Sequence, residues 1–104
     1  MIKATFYKKD EILKGFEIKG HSGYAEEGED VICASVSSVA YMAVNTITDV
    51  IGAKADISIS DGYFRFITDS VLNETKVVLE GLMLHVSALA GDYSEFITCK
   101  EETL

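Results

Sequence analysis

The sequence predicts an α+β fold: two layers in the order β-β-α-β-β-α-β, with a mostly antiparallel sheet and both helices on one face. Three observations carry this. Two short stretches near the start alternate apolar and polar residues across a turn. Two longer stretches repeat their apolar residues at helical spacing. Between them, Asp61-Gly62 joins two alternating runs in the way a tight hairpin turn does. With 104 residues, one domain is expected across the whole chain.

Ile2 to Tyr7 puts Ile2, Ala4 and Phe6 on one face, Lys8-Lys9-Asp10-Glu11 reads as a turn, and Leu13 to Lys19 returns with Phe16 and Ile18 inward. The second strand delivers the chain to His21. Ser22 to Asp30, rich in glycine and acid, has little to bury and reads as a connection that can carry function. A helix is expected from Ala34 to Ile51, closed by Gly52, with Val36, Val39, Ala40, Ala43, Ile47 and Val50 toward the sheet. Cys33 stands at its start, and Cys33, Ser37, Tyr41 and Val44 share the margin of its apolar stripe.

Around Asp61-Gly62, Ile59 should pair with Phe64 and Ile57 with Phe66, all four on one side, through a type I′ turn. The second helix should run from Leu72 to Ala90, capped by Ser70 or Asn73, with Leu72, Leu79, Leu82, Met83, Val86 and Ala90 as its core stripe. Val77, Leu84 and Ala88 fall on its other side. A helix apolar nearly all round wants cover on both sides, so a homodimer through this helix is expected. Gly91-Asp92 should end it. Phe96 to Cys99 reads as a last strand before a charged tail.

Composition narrows the function. The formal net charge of −8 speaks against a nucleic-acid partner. No apolar leader follows Met1, and no apolar run is expected to reach a membrane span of about 20 residues, so a cytoplasmic protein without a membrane partner is expected. Two cysteines make no disulfide framework, and a cytosolic thiol is either filling or chemistry. His21, Cys33, His85 and Cys99 lack the paired spacing of a metal site, so no metal or cofactor is expected. His85 reads as packing or interface, and Cys99 as a small core residue.

His21 at a strand end and Cys33 at a helix start have a sharper reading. The unpaired N–H groups of a helix N-terminus and a neighbouring imidazolium favour thiolate over thiol. The imidazole could return a proton to a leaving amine, and the same N–H groups could hold an oxyanion. Spacing alone leaves open a structural pair in a binding module, and a redox thiol with Cys99 as its resolving partner.

Gly20-His21-Ser22-Gly23-Tyr24-Ala25, with Gly28-Glu29-Asp30-Val31-Ile32-Cys33-Ala34-Ser35-Val36-Ser37 after it, resembles the signature of the ribosomal-processing cysteine proteases, the Prp family. The element order is similar over nearly the whole chain. The resemblance implies a protease that removes a short N-terminal extension from the large-subunit ribosomal protein numbered twenty-seven. It implies Cys33 as nucleophile and His21 as general base and then acid. Asp30 would orient the histidine, order the loop or bind substrate backbone, and Ser37 would line the site. Tyr24, Tyr41 and Val44 are candidates for an aromatic-binding pocket. Gly23 and Gly28 would be hinges of a loop that shields Cys33 until substrate enters. The alternative is a non-enzymatic ribosome-associated binding protein.

Overall fold

The computed structural model describes residues 1–21 and 31–104. The elements are β1 (Ile2–Lys9), β2 (Ile12–Lys19), α1 (Val31–Asn45) continued by a π-helical segment (Thr46–Ile51), β3 (Asp56–Ser60), β4 (Tyr63–Ile67), α2 (Asn73–Asp92) and β5 (Ile97–Thr103). The predicted order and α+β class are observed. The five strands lie in the order β3-β4-β2-β1-β5. All neighbours are antiparallel except β1 and β5, which run parallel, so the sheet is mixed.

Pairing sets the inner face. Ala4 lies opposite Ile18 and Phe6 opposite Phe16. Phe16 then lies opposite Phe66, and Ile18 opposite Phe64. Residues directly opposite share a face, so these side chains form one apolar surface. Ile32, Val36, Ala40, Ala43, Val44 and Ile47 of the first helix, with Leu79, Leu82 and Val86 of α2, bury against it. The other face is polar, with Tyr63 donating to Glu17 at 2.9 Å.

The β1–β2 turn is tighter than predicted. Asp10 (φ 53°) and Glu11 (φ 66°) carry the reversal, and the strands extend to Lys9 and from Ile12. A bulge after Tyr7 brings Leu13 to the inner side with Phe16. At Asp61-Gly62 only Gly62 has positive φ, 67°, so the turn is not type I′, although the predicted Ile59–Phe64 and Ile57–Phe66 register is observed.

The first helix starts at Val31, earlier than predicted, so Cys33 is its third residue. It changes to π geometry at Thr46, where the hydroxyls of Thr46 and Thr48 bond back to the carbonyls of Met42 and Val44. The wider turns rotate the residues beyond them. Val50, expected in the core, is 80% exposed, and Gly52 closes the helix at φ 83° as predicted. Val31–Ile51 has the length and apolarity of a membrane span, against the sequence expectation. Here its inner stripe is buried in the core.

Leu72, expected in the α2 stripe, precedes the helix in extended backbone (φ −70°, ψ 137°) and is 45% exposed. Thr75 takes that place at 1% exposure, its hydroxyl 3.0 Å from Ser70 Oγ. Gly91-Asp92 ends the helix as predicted, being its last two residues, with Tyr93 as the C-cap. The charged tail after Cys99 is not a tail: Lys100 to Thr103 continue β5 along β1, and Lys8 meets Glu101 at 2.9 Å. Ladder hydrogen bonds come from backbone groups, so polar side chains do not prevent them.

Candidate active site

The chain order puts His21 just past β2 and Cys33 in the first turn of α1. The topology adds a third component. β4 pairs with β2 with Tyr63 opposite Lys19, so the Asp61-Gly62 turn arrives beside Gly20-His21. The amide of Gly20 donates to the carbonyl of Gly62 at 2.8 Å, tying the two segments together. Met1 N donates to the carbonyl of His21. Gly20 is required there: its φ is 94°, and an added Cβ would stand 2.3 Å from the Met1 carbonyl oxygen.

Between these parts lies a cavity of about 290 Å³. The first helix contributes Cys33, Ala34, Ser37 and Tyr41. The end of β2 contributes Ile18, Gly20 and His21, and the β3–β4 hairpin contributes Ile59 to Phe64. A larger cavity of about 770 Å³ sits at the opposite end of the strands, lined by Lys9, Lys14, Lys54 and Asp69 among others. It holds neither a histidine nor a cysteine, so the smaller cavity is the candidate site.

Within it the His21 side chain is 60% exposed, with Nε2 3.8 Å from Asp61 Oδ2. That carboxylate is 98% exposed, so the pair is held in water and screened. The imidazole lies directly over Gly62, where an added Cβ would be 2.8 Å from Nε2. Cys33 is half-buried and packs against the core cluster. It is the third residue of α1, in the first turn, at the end where the helix dipole is positive. Ser37 is exposed one turn further on. Tyr41 rests its ring 4.8 Å from that of Phe64, at 56°.

The structure therefore brings together His21, Cys33, Ser37 and Tyr41 of the predicted site residues. Val44, predicted as a pocket residue, is 4% exposed and belongs to the core, because it faces the sheet instead of the cavity. Asp30, Tyr24, Gly23 and Gly28, with the loop expected to gate the site, lie outside the described residues. Cys99 is absent from the cavity lining; burial pushes its thiol pKa up, and a contact with Ser87 at 3.6 Å partly offsets this. His85 is exposed on α2. Sequence reasoning missed the hairpin wall from Ile59 to Phe64. The Asp-Gly turn was visible, but its position beside His21 depends on β4 pairing with β2.

The model of the family described as cysteine protease Prp matches residues 1–98. The chain belongs to this family. It is similar to the ribosomal processing cysteine protease Prp of Bacillus subtilis (strain 168), 30% identical over 103 residues, covering 91% of this chain and 92% of the relative. Among solved structures it is similar to SMU.848 from Streptococcus mutans, with TM-score 0.85 and 30% identity over 100% of this chain and 96% of that one. It is also similar to the Prp of S. aureus in complex with a covalently linked product peptide. There the TM-score is 0.90 and the identity 25%, over 98% of this chain and 100% of that one. As a Prp-family member the chain is a cysteine protease, a hydrolase of peptide bonds.

Proposed function

We propose that this Prp-family protease removes the N-terminal extension of the large-subunit ribosomal protein numbered twenty-seven, acting in the cytoplasm through a Cys33–His21 dyad. The observation that carries the dyad is the cavity that Cys33 and His21 line together with Ser37. The substrate class rests on relatives named for ribosomal processing.

The chemistry divides among these residues. Cys33 Sγ, as thiolate, attacks the scissile carbonyl and forms an S–C bond, while the carbonyl π electrons move onto oxygen. First-turn N–H groups of α1 receive the oxyanion, and the Ser37 hydroxyl stands on the same side. As the C–N bond breaks, His21 gives its proton to the departing amine, leaving a thioester. His21 then takes a proton from water, whose oxygen attacks the thioester and returns the thiolate. Incubating the protein with the extended precursor and measuring intact mass tests this reading. A precursor shortened by its extension is expected; an unchanged mass removes the assignment.

Gly62 carries a second prediction. Alanine there would push the His21 ring from its seat and must also adopt positive φ, so kcat should fall by about 10- to 100-fold, or about 1.4 to 3 kcal/mol of transition-state stabilisation. Gly52→Ala is the control: it has φ 83°, nothing within 4 Å of an added Cβ, and no place in the cavity. It should lose about 1 kcal/mol of stability and keep full cleavage. Equal cleavage by Gly62→Ala and wild type would show that the seat is unimportant.

The homodimer is proposed through α2. Val77 (55% exposed) and Leu84 (74%) leave an apolar stripe on its outer side, spaced to face one way. Light scattering should give twice the chain mass for wild type and the chain mass for Leu84→Glu. A monomeric wild type at micromolar concentration overturns the dimer.

A further inference from the structure

The two edges of the sheet are built differently. β5, at one edge, carries Lys100, Glu101 and Glu102, the charged residues that keep a free edge from recruiting another strand. β3, at the other, reads Asp-Ile-Ser-Ile-Ser, all five residues exposed, with no lysine or proline among them. Among the described residues, no strand pairs with its outer side. Half of its backbone N–H and C=O groups therefore point away from the sheet, and among the described residues no backbone group pairs with them.

The inner side of β3 is also uncovered. Ile57 and Ile59 face the helical layer, opposite Phe66 and Phe64, yet are 42% and 49% exposed. Tyr41 of α1, 42% exposed, rests on the ring of Phe64 and lines the same cavity as Ile59. Together these side chains make an apolar trough between α1 and β3. It is continuous with the candidate active site, since Ile59 and Tyr41 line the cavity that contains Cys33 and His21.

We infer that the substrate peptide binds as an added strand along β3, its backbone hydrogen-bonded to that edge and alternate apolar side chains resting on Ile57, Ile59 and Tyr41. This rests on the peptidase reading and adds the binding mode and specificity to it. Strand addition takes affinity from main-chain bonds and selectivity from every second side chain. An edge of five residues spans about 17 Å, enough for an equal number of substrate residues. Bulky apolar residues at positions i and i+2 of the substrate are the preferred pattern, with polar residues tolerated between them.

The test uses a synthetic peptide spanning the extension junction and the Cys33→Ala protein, which holds it uncut. Amide hydrogen exchange over residues 56–60 should slow when the peptide is added. Peptides N-methylated at one amide at a time should lose affinity about tenfold at every second position and little between. In otherwise wild-type protein, Ile59→Lys should raise KM about tenfold with kcat within about twofold. No binding, unchanged exchange at saturation, or losses without alternation overturns the proposal, as does a loss of kcat alone in Ile59→Lys. Amides already slow in the free protein, and released on dilution, would assign the edge to a second copy and overturn it equally. Cleavage by wild type alongside unaltered β3 exchange sinks only the strand-addition mode. Slowed exchange without cleavage sinks the peptidase reading and leaves β3 as a peptide site.

Discussion

Cys33→Ala will leave the ribosomal precursor uncut while keeping the fold, with a rate loss on the order of 10⁴-fold or more. A methyl group has no lone pair to form the thioester, and no other described residue in the cavity is a thiol. The fold should survive because Cys33 is only half-buried and alanine suits a helix. His21→Ala should be equally inactive on the precursor, since without a proton donor the tetrahedral adduct returns to substrate. Cys99→Ala is the counterpart. Its thiol lies on β5 against Ser87 and outside the cavity lining, so cleavage should continue at the wild-type rate. Intact mass of the precursor reads all three variants, and far-UV circular dichroism confirms that each is folded. Cleavage by Cys33→Ala, or its loss in Cys99→Ala with the fold intact, would transfer the nucleophile to the other cysteine.

Phe16→Ala carries the largest expected cost in stability, about 3–5 kcal/mol. Phe16 is fully buried and touches three other rings, Phe6, Phe64 and Phe66, at centroid distances of 6.0, 5.3 and 5.8 Å. It belongs to β2, between β1 and β4, so its removal opens a void where both hairpins meet the helices. Domains of this size have about 5–15 kcal/mol in total, so the variant should be marginal at 37 °C and unfold at much lower urea. Val50→Ala is the matching control. Helical spacing places it in the core, whereas the π segment leaves it exposed, so its change should stay within about 0.5 kcal/mol. A loss of several kcal/mol in Val50→Ala would restore the regular helix.

Local patterns made much of this protein legible. Period-two alternation fixed which face of β1, β2 and β4 is buried, and Asp61-Gly62 set the Ile59–Phe64 register, because both depend on neighbours in sequence. The His21–Cys33 motif pointed to the Prp family for the same reason: its residue types and spacings are local. Sequence spacing could not reach effects decided by distant partners or by a local change of helix type. The π segment that begins at Thr46 leaves Val50 facing outward. Backbone pairing with β1 drew a charged segment into β5. The extended entry to α2 gave Leu72's place to Thr75.

The candidate site divides along the same line. The sequence alone determined that a histidine would close a strand and a cysteine open a helix, and that Ser37 and Tyr41 would lie on the same helical margin. Tertiary structure decided that the β3–β4 hairpin forms the opposite wall, with Gly62 beneath the imidazole and Ile59 beside Tyr41. It did so because β4 pairs with β2, a contact between residues some forty-six positions apart in the Tyr63–Glu17 hydrogen bond, which no local periodicity encodes. The same pairing leaves β3 as the free edge of the sheet, beside the cavity that holds the thiol.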